Sequence, residues 1–416
     1  MQSGSSKLFS HSDVMLPGKH HHMRVLFLPR WYPNRYDPMP GLFVKRQAEV
    51  VSAHCDVSVL YVHEDPACSN MYEIEIADED GINVVRVYYK VSLSEFGMFG
   101  KLVRMYRFFH ANWLGFRKLR DFTPDLLHVH VLTRQGFIAL IYKLFTRTPY
   151  VITEHWSRYF PQNNTYKGLL RKDITGHVVH FASAIIAVSE KLKEAMLDKN
   201  LNNRNYRVIP NPVDMDKFNI IEKTENPDPG KKRIVHISCF EDKSKNISGF
   251  LNAIKNLSKK REDFECYLIG EGPDWEQMKN HARDLDLIGK FAFFPGLKTG
   301  KDLVSEINNA DFLVLSSHYE TFGSVVIETL ACGIPVVATN VGVVGDVVNK
   351  QNGLIVPPGD INALEEAIGI MLDNCRDYDR TQIRESVVDQ FSNKIIGEQL
   401  HLLYQEVLTV KSSSGK

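Results

Sequence analysis

Glu320 and Glu328, with seven residues between them, bracket a Gly323-Ser324-Val325 step that leads into an apolar stretch ending at Gly333 and Pro335. Phe312 to Leu315 just upstream has the composition of a short buried strand, so the spacing predicts strand, loop and then a helix from Ser324 to Gly333. Glu320 is then a loop residue and Glu328 lies about a turn inside the helix. The first amides of a helix have no intrahelical acceptor, and those of Gly323, Ser324 and Val325 would suit a diphosphate. Carboxylates accept strongly from sugar and ribose hydroxyls, at ~1.5–3 kcal/mol per charged hydrogen bond. Two glutamates around an anion-binding helix start therefore read as a nucleotide-sugar site.

The elements that position these residues alternate along the whole chain. Apolar, β-branched runs at Arg24–Pro29 and at residues 56–62, 83–89, 126–131, 150–153, 184–188 and 206–209 are separated by helical spacing, which implies a parallel sheet covered on both faces. The pattern breaks at Pro210 and resumes at Arg233, with strands expected at residues 233–237, 265–269, 291–294, 312–315, 335–338 and 353–356. The expected organisation is α/β: two tandem Rossmann-like domains with a cleft between them, residues 23–209 and 233–392, joined by a linker at 210–232. Ligands of such sheets bind at the carboxyl ends of the strands. There the sequence places Gly41 in the loop after the first strand, His128 and His130 at the end of a second, and His155 after Val151-Ile152-Thr153-Glu154. His128 and His130 are acceptor-side candidates, and Gly41 would let backbone approach a diphosphate or acceptor.

Several segments together resemble the retaining family 4 (group 1) glycosyltransferases of the GT-B fold. Glu320 and Glu328 match the family's E-x7-E motif. Ile209-Pro-Asn-Pro-Val-Asp214 resembles its linker segment, Gly270-Glu-Gly272-Pro273 its G-x-G-P strand end, Lys245-Asn246 its basic K-N step, and Asn352-Gly353 to Gly359-Asp360 its N-G-x-L-V-x-P-G-D run. The resemblance implies transfer of a sugar from a nucleotide diphosphate to a glycan or lipid-linked acceptor, with no cofactor or metal. The leaving diphosphate would take the acceptor proton. Lys245, Lys243 and the helix-start amides would neutralise that group, Glu320 would hold donor-sugar hydroxyls, Glu328 the ribose, and His155 would face the transferring sugar. The C-terminal helix, residues 393–410, would cross back to the first domain. Two departures stand out: Phe240 occupies the position where many relatives have an arginine, and Val343 replaces one glycine of an expected pair. They keep a non-catalytic partner subunit in view, beside a nucleotide-sugar epimerase of the same fold.

Composition narrows the rest. The 416 residues carry 50 Lys+Arg and 50 Asp+Glu, but residues 23–206 hold 24 bases against 18 acids, an excess of six. A basic half can face an anionic partner. Residues 101–120 contain six bases and no acid, interleaved with Leu102, Met105, Tyr106, Phe109, Trp113 and Phe116, which fits either a core-packed helix or one lying on an anionic bilayer. Nucleic acid is not expected. Six scattered cysteines make no C-x-x-C pair, and no apolar run reaches the roughly 20 residues of a membrane span, so a cytoplasmic, reducing location is expected, at most at the inner membrane surface. Residues 1–22 read as a tag-like extension. Asp214-Met215-Asp216 spells D-x-D, but within the linker segment it reads as a turn; Asp78 to Asp80 reads as an acidic turn; Gly270-Glu271-Gly272 lacks the third glycine of a dinucleotide fingerprint.

Overall fold

The computed structural model describes residues 22–91, 97–132, 134–163, 165–223 and 230–413. The first 21 residues of the tag-like extension and residues 224–229 of the expected linker lie outside them. The chain forms two sheets. The first comprises β1 (Arg24–Pro29), β2 (Asp56–Asp65), β3 (Tyr72–Glu79), β4 (Ile82–Lys90), β5 (Leu126–His130), β6 (Tyr150–Glu154), β7 (Ala184–Ala187) and β8 (Tyr206–Val208), in the order β3-β4-β2-β1-β5-β6-β7-β8. The second comprises β9 (Lys232–Ile237), β10 (Phe264–Ile269), β11 (Ala292–Gly296), β12 (Phe312–Leu315), β13 (Val336–Thr339) and β14 (Gly353–Val356), in the order β11-β10-β9-β12-β13-β14. Every pairing is parallel except β3 with β4. In each sheet the order reverses beside the first strand, β1 or β9, which opens a crevice at the strands' carboxyl ends.

The strand β3 was not expected. Its residues Glu73, Glu75, Asp78 and Glu79 give it the charge of a protected sheet edge, which conceals it from a search for apolar runs. Asp78 and Glu79 belong to the strand, and the turn is Asp80-Gly81, both with positive φ (53° and 83°), the geometry of a two-residue hairpin.

Alternation along β1 feeds two cores. Leu26 and Leu28 pack on one face with Leu127, Val129 and Ile152; Val25 and Phe27 pack on the other with Val44, Val51 and Val151. The second face is closed by the helix Asn393–Ser413, whose Ile396, Leu400, Leu403, Tyr404 and Val407 recur at helical spacing and are buried there. At Gly397 a Cβ would sit 2.8 Å from the Val50 carbonyl oxygen, so this helix lies directly against the helix Leu42–Ser52. Gly397→Val is expected to force the two apart and to lower the urea-unfolding free energy by about 1–3 kcal/mol; an unchanged midpoint would show that the last helix is loosely held.

Candidate functional site

In the second sheet the loops after the adjacent strands β9 and β12 are fastened together. Ser316 Oγ donates to the Lys245 carbonyl (2.9 Å), the His318 amide donates to the Ser244 carbonyl (2.8 Å), and Asn246 Nδ2 donates to the Ser316 carbonyl (3.2 Å). This seats Lys245 Nζ 2.6 Å from Glu320 Oε1, which also accepts from Ser317 Oγ at 2.8 Å. Burial on its own would lower the pKa of the Lys245 ammonium; the Glu320 carboxylate, helped by Cys239 and Glu241, raises it overall, so the lysine stays charged. The glycines of the G-x-G-P run serve the same loops: a Cβ on Gly270 would meet the Ser238 carbonyl oxygen at 1.9 Å, and one on Gly272 would meet the Phe240 backbone. Phe240 itself is fully buried against Trp275 and Phe294. The position where relatives have an arginine is thus a core position, and Lys243 is exposed on the four-residue turn Asp242–Lys245.

The helix Ser324–Ala331 begins at Gly323, a buried residue with a φ of 95° and, its chain neighbours aside, no atom within 4 Å of where a Cβ would lie. The amides of Gly323, Ser324 and Val325 have no acceptor among the described residues. Gly342 supports the Glu320 loop from behind, since a Cβ there would lie 2.3 Å from the Phe322 carbonyl oxygen; the Val343 amide donates to that same oxygen (2.9 Å), and its side chain is buried.

Glu328 is buried and pairs with Arg46 from the first half, at 2.9 Å. Arg46 went unnoticed in the sequence because its partner lies 282 residues away, beyond any local pattern. Two more bonds join the halves at the same place: Ser189 Oγ to the Thr321 carbonyl (2.7 Å) and Lys191 Nζ to the Asn340 carbonyl (2.7 Å).

On the first sheet, the buried Glu154 carboxylate accepts from the amides of Leu132, His155 and Trp156 and from the Tyr159 hydroxyl, fixing the loops after β5 and β6. His155 packs on Phe43 and places Nε2 3.3 Å from His130 Nδ1; His155 Nδ1 and His130 Nε2 are buried without a partner. His128 is a correction to the acceptor set. It is fully buried, with one ring nitrogen on Thr153 Oγ1 and the other on the Tyr404 hydroxyl (2.7 Å each), so it ties the last helix to the sheet. Gly41 is corrected in its reason: its φ is 73°, and a Cβ would lie 2.1 Å from the Trp31 carbonyl oxygen, so its own fold demands glycine. In the D-x-D segment, Asp214 Oδ1 accepts from the Asp216 and Lys217 amides and makes a turn. No group of three metal-ligating side chains occurs among the described residues.

With this geometry in place, comparison with known proteins is decisive. Residues 42–217 match the family described as Glycosyltransferase Family 4, and residues 217–386 that described as Glycosyl transferases group 1. The chain belongs to the family 4 (group 1) glycosyltransferases. Members of this family are retaining enzymes of the GT-B fold, and the two parallel sheets seen here are that fold. The chain is 26% identical to the putative teichuronic acid biosynthesis glycosyltransferase TuaC of Bacillus subtilis, over 92% of this chain and 99% of that protein. It is 28% identical to the capsular polysaccharide biosynthesis glycosyltransferase CapM of Staphylococcus aureus, over 56% and 64%. Among solved structures it is similar to sucrose-phosphate synthase from Thermosynechococcus elongatus (TM-score 0.75, 19% identity, 94% of this chain and 100% of that one). It is also similar to HepE from Anabaena in complex with UDP and glucose (TM-score 0.66, 19% identity, 91% and 98%).

Burial lowers the pKa values of His128 and His155 to about 3, His155 adding to the effect on His128. Below the ordinary 6.5 the unfolded chain then binds protons that the native glycosyltransferase refuses. The stability these neutral rings contribute is complete above about pH 6.5 and is lost as pH falls toward about 3, by ~1.4 kcal/mol per pH unit and histidine once the unfolded ring is charged. Urea unfolding from pH 7 to 4.5 should show this loss, with a slope smaller by about one proton in His128→Gln; equal slopes would show that His128 titrates normally in the native state.

Proposed function

We propose that this glycosyltransferase moves a sugar, with retention, from a nucleotide diphosphate sugar to a glycan or lipid-linked acceptor in cell-surface polysaccharide assembly. The observation that carries the reading is the free helix start at Gly323 to Val325, flanked by the Lys245–Glu320 pair and by Glu328. In this reading the diphosphate lies on those amides and Lys245 neutralises it without a metal; Lys243, exposed on the same turn, adds charge to the approach. Glu320 accepts from donor-sugar hydroxyls and Glu328 from the ribose. Arg46 holds Glu328 from one side only, and a carboxylate has lone pairs to spare. The departing diphosphate takes the acceptor proton on the same face, so the protein's task is positioning and charge. Neutral His155, with one ring nitrogen unpartnered, serves as a hydrogen-bonding wall for the transferring sugar, and His130 stands behind it. The donor unit is residues 233–392 and the acceptor unit residues 23–209 with the last helix, joined at 210–232. The teichuronic acid and capsular polysaccharide settings of TuaC and CapM support the polysaccharide reading, and the UDP bound by HepE makes UDP the first nucleotide to test.

UDP at about 100 times its dissociation constant should add roughly 2.7 kcal/mol of apparent stability in a thermal-shift assay without metal. Glu328→Ala and Lys245→Ala should lose most of it. If UDP, GDP, ADP and dTDP all leave the melting temperature unchanged, the donor-site assignment is wrong.

The reading also seats the first half on an anionic bilayer. On the helix Met98–Lys118, Phe99 (80%), Tyr106 (67%) and Trp113 (50%) are exposed, together with Leu102 and Met105; Phe109 and Phe116 pack inward instead. Exposed Leu169 and Leu170 start the helix Leu169–Phe181, beside exposed Arg171 and Lys172. Apolar side chains among bases suit headgroups and acyl chains together. Among the described residues no helix is long and apolar enough to cross a membrane. The chain should sediment with phosphatidylglycerol vesicles and not with phosphatidylcholine vesicles, and Phe99→Ser with Leu170→Ser should weaken this; equal recovery with both lipids would refute the seating.

A further inference from the structure

Three arginines stand just beyond the carboxyl ends of three neighbouring strands of the first sheet. Arg30 follows β1, Arg134 opens the helix Arg134–Thr146 after β5, and Arg158 lies in the short turn Ser157–Tyr159 after β6. The guanidinium carbons of Arg30 and Arg158 lie 4.6 Å and 3.9 Å from the ring centre of Trp156. Among the described residues none of the three makes an ion pair or a side-chain hydrogen bond, and the Nε atoms of Arg30 and Arg158 are buried without a partner. Arg158 is only 6% exposed.

The two carboxylates that act on this group are already engaged. Glu154 takes its four donors, and Glu64 pairs with Arg104 (3.3 Å) and accepts from the Tyr89 hydroxyl (3.4 Å). Arg30 accordingly has its pKa lowered, by burial first and then by Arg134 and Arg158. Stacking on an aromatic ring offsets part of that cost but uses none of the five N–H donors of a guanidinium. Between Arg30 and Arg134 opens a cavity of about 180 Å³, also lined by Trp31, His63, Glu64 and Gln135, where the Gln135 amide oxygen is buried without a donor. The cavity lies at the switch point of the acceptor-side sheet, where β1 and β5 pair.

We propose that this cluster binds an oxyanion carried by the acceptor, a carboxylate or a phosphate, so that the substrate glycosylated here is an anionic one. Arg30 and Arg134, which line the cavity and make no ion pair among the described residues, supply the planar forks that both groups take up; Arg158, on the Trp156 ring it shares with Arg30, adds positive charge nearby, and the Gln135 amide oxygen can accept from a neighbouring hydroxyl. The inference rests on the reading that the first sheet faces the acceptor.

The test uses the full chain carrying Trp113→Phe and Trp275→Phe, so that fluorescence reports Trp31 and Trp156 alone, with UDP present to occupy the donor side. Inorganic phosphate, glucuronate and neutral glucose are titrated at constant ionic strength. Phosphate or glucuronate, but not glucose, should give a saturable change, and which of the two binds more tightly identifies the anion. The exposed Arg134→Gln should weaken that binding by about tenfold or more, and Arg158→Gln, which removes charge from beside the cavity, by less; Arg134→Gln keeps the test valid if the buried variant fails to fold. No saturable change with either anion, or an equal response in Arg134→Gln, would overturn the proposal. UDP stabilisation in the same samples separates this outcome from failure of the donor-site reading, in which UDP itself would have no effect.

Discussion

The contact on which the proposed donor side depends is the 2.6 Å ion pair between Lys245 and Glu320. Both side chains are largely buried, and removing charges from water repays only where the geometry is held firmly. Here it is held by backbone. Three hydrogen bonds lock residues 244–246 to residues 316–318, and Gly270, Gly272 and Gly342 allow the neighbouring loops to pass at distances that a Cβ would forbid. The loops in turn leave the ends of β9 and β12, adjacent strands at the point where the sheet order reverses. The parallel sheet thus places a charged pair beside an open helix start, and the glutamate is oriented before any substrate arrives.

The two halves meet on the same few residues. Arg46 reaches Glu328, Ser189 reaches the carbonyl just after Glu320, and Lys191 reaches Asn340 at the base of the supporting Gly342 loop. Substituting any of them would disturb both the relation of the halves and the shape of the donor loops. Glu328 answers to both at once, since the carboxylate expected to hold the ribose is also the one that binds the first half.

Much of this could be read from sequence because it is local. Thirteen of the fourteen strands follow from short apolar runs, and the helix start at Gly323 follows from residues within ten positions of it. What escaped was non-local or decided by a third element. The β3 strand is an edge whose charges hide it, although Asp80-Gly81 carried a hairpin signal. His128 lies in a strand, at its middle and not at its end, and period-two alternation cannot say that its face is covered by a helix some 270 residues later; that helix, through Tyr404, makes it structural. Gly41 was read as room for a ligand, when its missing Cβ is room for the Trp31 carbonyl. On the helix Met98–Lys118 the spacing left the facing open, because only the position of β2 and β4 beneath it decides which apolar stripe is covered.

The excess of six positive charges in the first half is not spread evenly, and its distribution links the proposed membrane seating to the proposed acceptor site. Where a base has an acidic neighbour it is used: Arg35 pairs with Asp65, Glu73 and Glu75, and Lys45 and Arg86 share Glu79. Among the described residues, the bases without an ion pair include Arg30, Arg134 and Arg158 at the strand ends, and Lys101, Arg117, Lys118, Arg171 and Lys172 along the outer helices. These two groups act over different ranges. Exposed lysines on a helix attract a charged surface only within about a Debye length, ~10 Å at 0.1 M salt, and lose that attraction as salt rises. Arg158 is shielded from salt by burial, so its field on an anion held between Arg30 and Arg134 would be screened far less. High salt should therefore release the chain from anionic vesicles while sparing recognition of an anion at the strand ends, so that the surface that gathers the acceptor and the site that selects it respond separately to ionic strength.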